Sequence, residues 1–241
     1  MTSSTRSPRR IRPPTATLFS LAREATGLLE IPQLAWSFGD LRKEPAGDGS
    51  TVIVLPGFGA DDRSTWPLRR FLTEIGYDAR GWGRGTHTMR VEESLFAMRD
   101  AVEECVSERG QKLFLVGWSL GGYVAREVAR ELPDAIRHVV TLGSPVIGGP
   151  KYTSTARVAR AQGLDIDAIE AAVDERKSVP LRVPLTAIYS RTDGIVAWQA
   201  CVDPEGDAPI EHVEVETSHL GLGYKSGVYR VIARRLAGAG D

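Results

Sequence analysis

Gly117 to Gly122 (GWSLGG) follows a short apolar run, Lys112 to Gly117 (KLFLVG), and opens a stretch of different period. The run is brief and bounded, as a buried strand is. Val124, Ala125, Val128, Ala129 and Leu132 then recur at the spacing of one helix face that stops at Pro133. The pattern predicts a strand that turns sharply into a helix at Ser119. Such a turn strains its central residue and crowds the positions two residues away, which accounts for glycine at 117 and 121. The serine hydroxyl is then exposed above a helix N-terminus, where amide groups and the helix dipole favour developing negative charge. A GxSxG pattern arises by chance roughly once in ten chains of this length. A glycine-rich turn is therefore the plain alternative, and the surrounding sequence has to decide.

That apolar run is one of four of its kind in the chain. Thr51 to Leu55 (TVIVL), Leu113 to Val116, His138 to Leu142 (HVVTL) and Leu185 to Tyr189 (LTAIY) read as parallel strands covered on both faces. Between the first two, a helix is expected with Thr65 as N-cap, Pro67 in its first turn, Leu68, Phe71, Leu72 and Ile75 on one face, and Gly76 past its end. A short strand near Tyr77 to Trp82 and a helix from about Val91 to Arg109 follow. This alternation predicts an α/β fold, an open and mostly parallel sheet with helices on both faces. Ligands in such sheets bind beyond the carboxyl ends of the strands, where Ser119 is placed.

Composition limits the function classes. The chain has 241 residues, 42% of them hydrophobic, and a formal net charge of -1. That is enough for a well-buried domain and too neutral to suggest a nucleic-acid partner. Two cysteines make no disulfide framework: Cys105 falls on the apolar face of a helix with Val91, Leu95, Met98 and Val102, and Cys201 is expected in a surface loop. No run approaches the length of a transmembrane helix and no secretory h-region is present, so the expected location is cytoplasmic.

The expected organisation is a disordered basic tail over 1–14 (MTSSTRSPRRIRPP) and a single domain over 15–241. Leu18, Leu21, Ala22, Ala25, Leu28 and Leu29 recur at helical spacing until Ile31-Pro32 interrupts them. This reads as a helix packed on the domain, with an interfacial lipid-binding helix as the alternative; nothing else in the sequence supports membrane or lipid-surface contact. From about 147 to 182 the rhythm changes to helix-like segments near Thr153 to Gln162 and Asp165 to Lys177 with no strand between them. The expectation is a small helical cap over a pocket, the alternative an ordinary crossover.

A serine nucleophile needs a base, usually histidine held by a carboxylate. His138 and His212 lie in strand-like runs, where a packed or edge histidine is the ordinary explanation, and His87 lies in a glycine-rich loop (WGRGTHT) without an obvious carboxylate partner. His219 follows the last strand pattern, Val213 to Val215, in the loop ETSHLGLG, and is the best base. Asp193 stands just beyond the strand Leu185 to Tyr189 in SRTDGIVAW. Asp beside Gly is commonly only a turn; chain order Ser119, Asp193, His219, each after a strand, favours an acid. Pro56-Gly57-Phe58-Gly59-Ala60 follows the first strand, and the amides of Phe58 and Leu120 are the expected oxyanion donors. PGFGADD is not GxGxxG and lacks a phosphate-binding lysine motif. Trp118, Val146, Ile147, Ile195, Val196, Trp198 and Leu220 flank these loops and are expected as apolar substrate walls, with core packing the alternative for each.

With these residues in order the chain resembles the α/β-hydrolase superfamily, and looks most like its bacterial lipase- and esterase-type members. The resemblance runs from about Ser50 to the C-terminus and rests on LPGFG, GWSLGG, TLGSP, TDGIV and SHLGLG. It implies nucleophile Ser119, acid Asp193, base His219 and oxyanion donors Phe58 and Leu120. Where many lipases have HG before the oxyanion residue, this chain has Pro56-Gly57, resembling a branch with PGF there. The function implied is cleavage of a small apolar carboxylic ester through an acyl-serine, needing no cofactor and no metal. Transfer of the acyl group to an alcohol or lipid acceptor, and a non-catalytic ligand-binding module on the same scaffold, are the competing readings.

Overall fold

Short runs of mainly β-branched and aliphatic residues form the centre of the sheet, because strands buried on both faces need no polar alternation. In the computed structural model, which describes residues 11, 12, 14, 18–202 and 207–239, six strands are β1 Thr51–Leu55, β2 Asp78–Gly81, β3 Leu113–Trp118, β4 Ile136–Leu142, β5 Leu185–Tyr189 and β6 Ile210–Glu214. All pairs are parallel, in the order β2-β1-β3-β4-β5-β6. The helices are α1 Leu18–Thr26, α2 Glu30–Leu41, α3 Asp62–Glu74, α4 Val91–Arg109, α5 Leu120–Glu131, α6 Ala156–Ala161, α7 Ile166–Arg176, α8 His219–Leu222 and α9 Ser226–Gly238. Of the expected basic tail over 1–14, residues 1–10 and 13 lie outside the described residues.

Strand alternation divides the interior in two. Val52 and Val54 of β1 face a core shared with Leu34 and Leu41 of α2, Phe71 of α3 and Ile232 of α9. Ile53 and Leu55 face a second core with Met98 and Cys105 of α4 and Val124 and Val128 of α5. The helices after β1 and β3 therefore leave on opposite faces of the sheet. Their strands are neighbours, so a crevice opens between the two connecting loops at the strands' carboxyl ends. Those loops carry Phe58 and Ser119.

Several local expectations are corrected. Ile31-Pro32 does not end the first helical stretch; after a short turn at Gly27–Leu29, α2 starts at Glu30 and Pro32 occupies its first turn, where the missing N–H costs nothing. Of the predicted apolar stripe, Ala22, Ala25, Leu28 and Leu29 are exposed, the last two by 52% and 63%, while Glu24 and Gly27 are buried; the side chains of Leu18 and Leu21 lie outside the description. Helix α3 begins a turn before Thr65: Asp61 is extended and its side chain accepts from Arg63 N–H at 2.9 Å. Thr65 is buried within the helix, and Pro67 lies beyond the first turn. Cys201 is not at the surface but 2% exposed in the turn Trp198–Cys201, and burial pushes its thiol pKa well up. Cys105 is buried as expected.

Candidate active site

Ser119 is the only non-glycine residue with positive φ among the described residues, at φ 56 and ψ -121. This conformation costs on the order of 1–3 kcal/mol and persists only where the surroundings enforce it. Here they do. Ser119 N–H donates to Leu142 O of β4 at 2.8 Å, which fixes the end of β3 before α5 begins. A Cβ on Gly117 would collide with the backbone of Gly121 and Gly122, and one on Gly121 would lie 2.6 Å from Leu55 O and nearer still to Pro56 O. A Cβ on Gly57 would press on the Ser119 side chain at 3.2 Å. The glycines of the two loops thus let β1 and the β3–α5 turn touch backbone to backbone.

The loop after β1 is held by a histidine that sequence reasoning left without a role. His87 exchanges main-chain bonds with Gly59 and Ala60, each 2.8 Å, and its Nδ1 lies 2.8 Å from Pro56 O. A carbonyl only accepts, so Nδ1 carries the proton. The ring is fully buried against Trp82, with centroids 4.3 Å apart, and burial lowers its pKa. His87 is therefore a neutral clamp on the segment carrying Phe58. Among the described residues neither Phe58 N–H nor Leu120 N–H has an acceptor, and both residues border the cavity.

Asp193 lies in the turn after β5, and its two carboxylate oxygens are engaged differently. One carboxylate oxygen, Oδ1, accepts from Ile195 N–H at 2.8 Å and Val196 N–H at 2.7 Å, making the turn. The other, Oδ2, accepts from His219 Nδ1–H at 2.6 Å. The bond fixes the tautomer, leaving Nε2 of His219 as the proton acceptor. His219 begins the short helix α8, is 4% exposed, and its ring lies 6.1 Å from that of Trp118. Burial disfavours the imidazolium, but the Asp193 charge, its hydrogen bond and the Glu24 charge outweigh it, and the pKa is raised. Of the other histidines, His138 is packed in β4 with Nε2 3.0 Å from Thr186 Oγ1, and His212 is exposed on β6.

Ser119, His219, Phe58 and Leu120 border one cavity of about 390 Å³. Its far wall is the segment between β4 and β5: Leu164 between the helices and Ile169 and Val173 of α7 face inward. An isolated antiparallel bridge, Thr153 to Val196, joins that segment to the loop carrying Asp193. Of the expected wall residues, Trp118, Ile195, Val196 and Leu220 line the cavity. Three others go elsewhere. Val146 is buried in the turn after β4, and Ile147 packs against a small cluster around Tyr189 and Ala200. Trp198 stacks on Tyr189 at 5.8 Å with the Arg191 guanidinium 4.3 Å from its ring centre. Sequence position near a candidate loop did not separate the inward face from the outward one.

The profile of the alpha/beta hydrolase family matches residues 52–229. Over 107 residues the chain is 31% identical to a pimeloyl-[acyl-carrier protein] methyl ester esterase of Shewanella woodyi, covering 43% of this chain and 40% of that enzyme. A 1-acylglycerol-3-phosphate O-acyltransferase of Arabidopsis thaliana is 32% identical over 103 residues, covering 39% of this chain and 25% of the plant protein. The chain thus matches less than half the length of these curated relatives. Among solved structures, a Paleococcus ferrophilus monoacylglycerol lipase superposes with a TM-score of 0.61 at 18% identity, over 81% of this chain and 97% of that one. For the Bacillus licheniformis lipase BlEst2 the TM-score is 0.62 at 15% identity, over 80% and 94% of the two chains. At such identities the likeness is one of fold. The family match begins inside β1, ends inside α9 and takes in the strands between, and the chain belongs to the alpha/beta hydrolase family.

Proposed function

We propose that the protein is a serine hydrolase that cleaves small apolar carboxylic esters through an acyl-serine intermediate. The observation that carries this reading is the 2.6 Å bond from His219 to a buried Asp193 beside a cavity bordered by the strained Ser119. Ser119 Oγ attacks the ester carbonyl while His219 Nε2 takes its proton, and Asp193 stabilises the imidazolium that forms. Negative charge on the carbonyl oxygen is received by the amides of Phe58 and Leu120, which need no reorganisation to donate. The imidazolium protonates the departing alcohol, and water repeats the sequence to release the acid.

The walls support an apolar acyl or alcohol group. Trp118, Leu164, Ile169, Val173 and Ile195 all face the space, and the one arginine among its described lining residues, Arg176, is held by Glu92 at 3.0 Å and Glu131 at 2.9 Å. The same proposal takes residues 15–241 as one hydrolase domain with 147–182 as its cap, and a cytoplasmic location. No helix among the described residues is long and apolar enough to cross a membrane.

Hydrolysis of p-nitrophenyl esters of graded chain length by wild type and Ser119→Ala tests the reading. The variant should lose at least about 10⁴-fold in kcat; wild-type turnover in Ser119→Ala overturns it. Adding an acceptor alcohol and analysing products separates hydrolysis from acyl transfer, since a predominant ester product would make the protein an acyltransferase.

A further inference from the structure

Glu24 is 4% exposed, and its carboxylate touches the backbone of both loops that carry the acid and the base. Oε1 accepts from Gly194 N–H at 2.8 Å and from His219 N–H at 3.1 Å, and Oε2 accepts from Leu220 N–H at 3.0 Å. Gly194 directly follows Asp193. One side chain from α1 thus bonds the amide next to the acid, the amide of the base itself and the amide after it. We infer that Glu24 is a positioning residue, clamping the Asp193 loop to the His219 loop and so fixing the imidazole against its carboxylate.

The rest of α1 and the turn after it are shaped around this grip. The Arg23 guanidinium donates to Thr192 O at 2.5 Å, on the same loop as Asp193. Ser218 Oγ donates to Glu24 O at 3.3 Å. Gly27 approaches so closely that a Cβ there would lie 2.5 Å from Gly221 N and nearer still to Ser218 Oγ. Residues 23, 24 and 27 share one helical face, and that face is turned to the two loops. From the sheet side, the hydroxyls of Ser190 and Thr192 donate to Thr217 O at 2.5 and 2.8 Å. The loops are therefore joined below by hydroxyls and above by a carboxylate. Of the two joints, only Glu24 bonds the amide of His219 and places a negative charge beside its ring.

The charge has a functional sign. His219 is faced by Asp193 from the β5 loop and by Glu24 from α1. Arg23 is engaged with Thr192 O, and Lys225 is paired with Glu30 at 2.9 Å beside Thr217. Both neighbouring carboxylates favour the imidazolium that forms as Ser119 is deprotonated. Removing the Glu24 charge lowers the pKa of His219 and weakens this stabilisation, while the cavity walls stay as they are. The inference rests on the roles proposed above for Asp193 and His219.

The test is Glu24→Gln, whose amide keeps the length but sets an NH2 against backbone donors and removes the charge. On a p-nitrophenyl ester, kcat per titrated active site should fall about 10-fold or more with KM nearly unchanged, and the acid limb of kcat/KM should move to lower pH. The same shift should appear in the NMR titration of the His219 imidazole, which needs no turnover and so stands apart from the ester-hydrolase reading. Wild-type kcat per site with an unmoved titration overturns the inference, as does a variant whose only change is a lower melting temperature. Glu24→Asp keeps the charge but is one methylene too short to reach both loops. It should lose kcat while holding the acid limb closer to wild type, and if Glu24→Gln does not fold, wild-type kcat in Glu24→Asp overturns the inference alone.

Discussion

Alanine at Gly121 is the substitution whose consequence the backbone geometry states most directly. Its Cβ would lie 2.6 Å from Leu55 O and closer to Pro56 O, whereas real Cβ atoms essentially never come within 3.0 Å. Neither partner is a flexible side chain. The turn at Ser119 and the end of β1 must therefore part by at least about 0.4 Å in a region packed like a crystal. The two proposed oxyanion donors ride on the two pieces that part, Phe58 with β1 and Leu120 with the turn. A displacement approaching 1 Å costs about 10²-fold in rate, and complete loss of one donor costs roughly 3–4 kcal/mol. Gly121→Ala should accordingly lower kcat by about 10²-fold and leave KM within a few-fold, because the apolar walls are untouched. Overpacking should also cost about 1–3 kcal/mol of stability, a fall in Tm of roughly 2–12 °C for a chain of this size. The assay is steady-state ester hydrolysis per titrated site, paired with a thermal melt. Gly39→Ala in α2, where a Cβ meets nothing within 4 Å, is the matched control and should keep its rate while gaining about 0.4–1 kcal/mol. A Gly121→Ala protein with wild-type kcat and Tm would show that the elbow contact does not set the donor geometry.

Asp193→Asn and His219→Ala should each remove most activity while the far-ultraviolet spectrum and a cooperative melt survive; near-wild-type rates in either refute that assignment. The raised pKa of His219 means the base is neutral only at higher pH, so the acid limb of kcat/KM should have its midpoint above 6.5, and a midpoint below 6.5 contradicts the site electrostatics. His138 works on stability with the opposite sign. Burial lowers its pKa from 6.5 to about 4, so its contribution is complete above 6.5 and is lost as pH falls from there toward 4. That loss amounts to about 3 kcal/mol. Urea melts of wild type and His138→Gln across that window should diverge accordingly, and parallel pH profiles would exclude the buried neutral imidazole as the cause.

The central strands were legible because a strand covered on both faces has to be a short apolar run, and TVIVL, LFLV and LTAIY have almost no other use. Ser119 and Asp193 were legible for a related reason: each follows such a run, so locating the strand located the loop, whereas His219 follows the half-exposed edge strand β6 and was read from its loop and chain order. The rest depended on partners distant in sequence. Pro32 reads as a breaker unless the helix is known to start at Glu30, and Thr65 reads as a cap unless Asp61 is known to be extended. Ile195 and Trp198 are three residues apart in one loop, yet one lines the cavity and the other stacks on Tyr189. Glu24 carried no signal at all. A lone glutamate on a helix is ordinarily solvated, and the three amides it meets are 170 to 196 residues away in the chain.

The contact between α2 and α9 changes what counts as the unit of cooperativity. Leu34 and Leu41 share one core with Ile232, Ala233 and Leu236, and that core continues under β1, β3 and β4 through Val54, Val116 and Val140. The segment recognisable as the family, 52–229, stops within α9 and leaves out α1 and α2. A protein trimmed to those bounds would retain Ser119, Asp193 and His219 but strip one face of the sheet of its cover. The heritable signature of this fold is therefore shorter than the stretch of chain that has to fold as one body to use it.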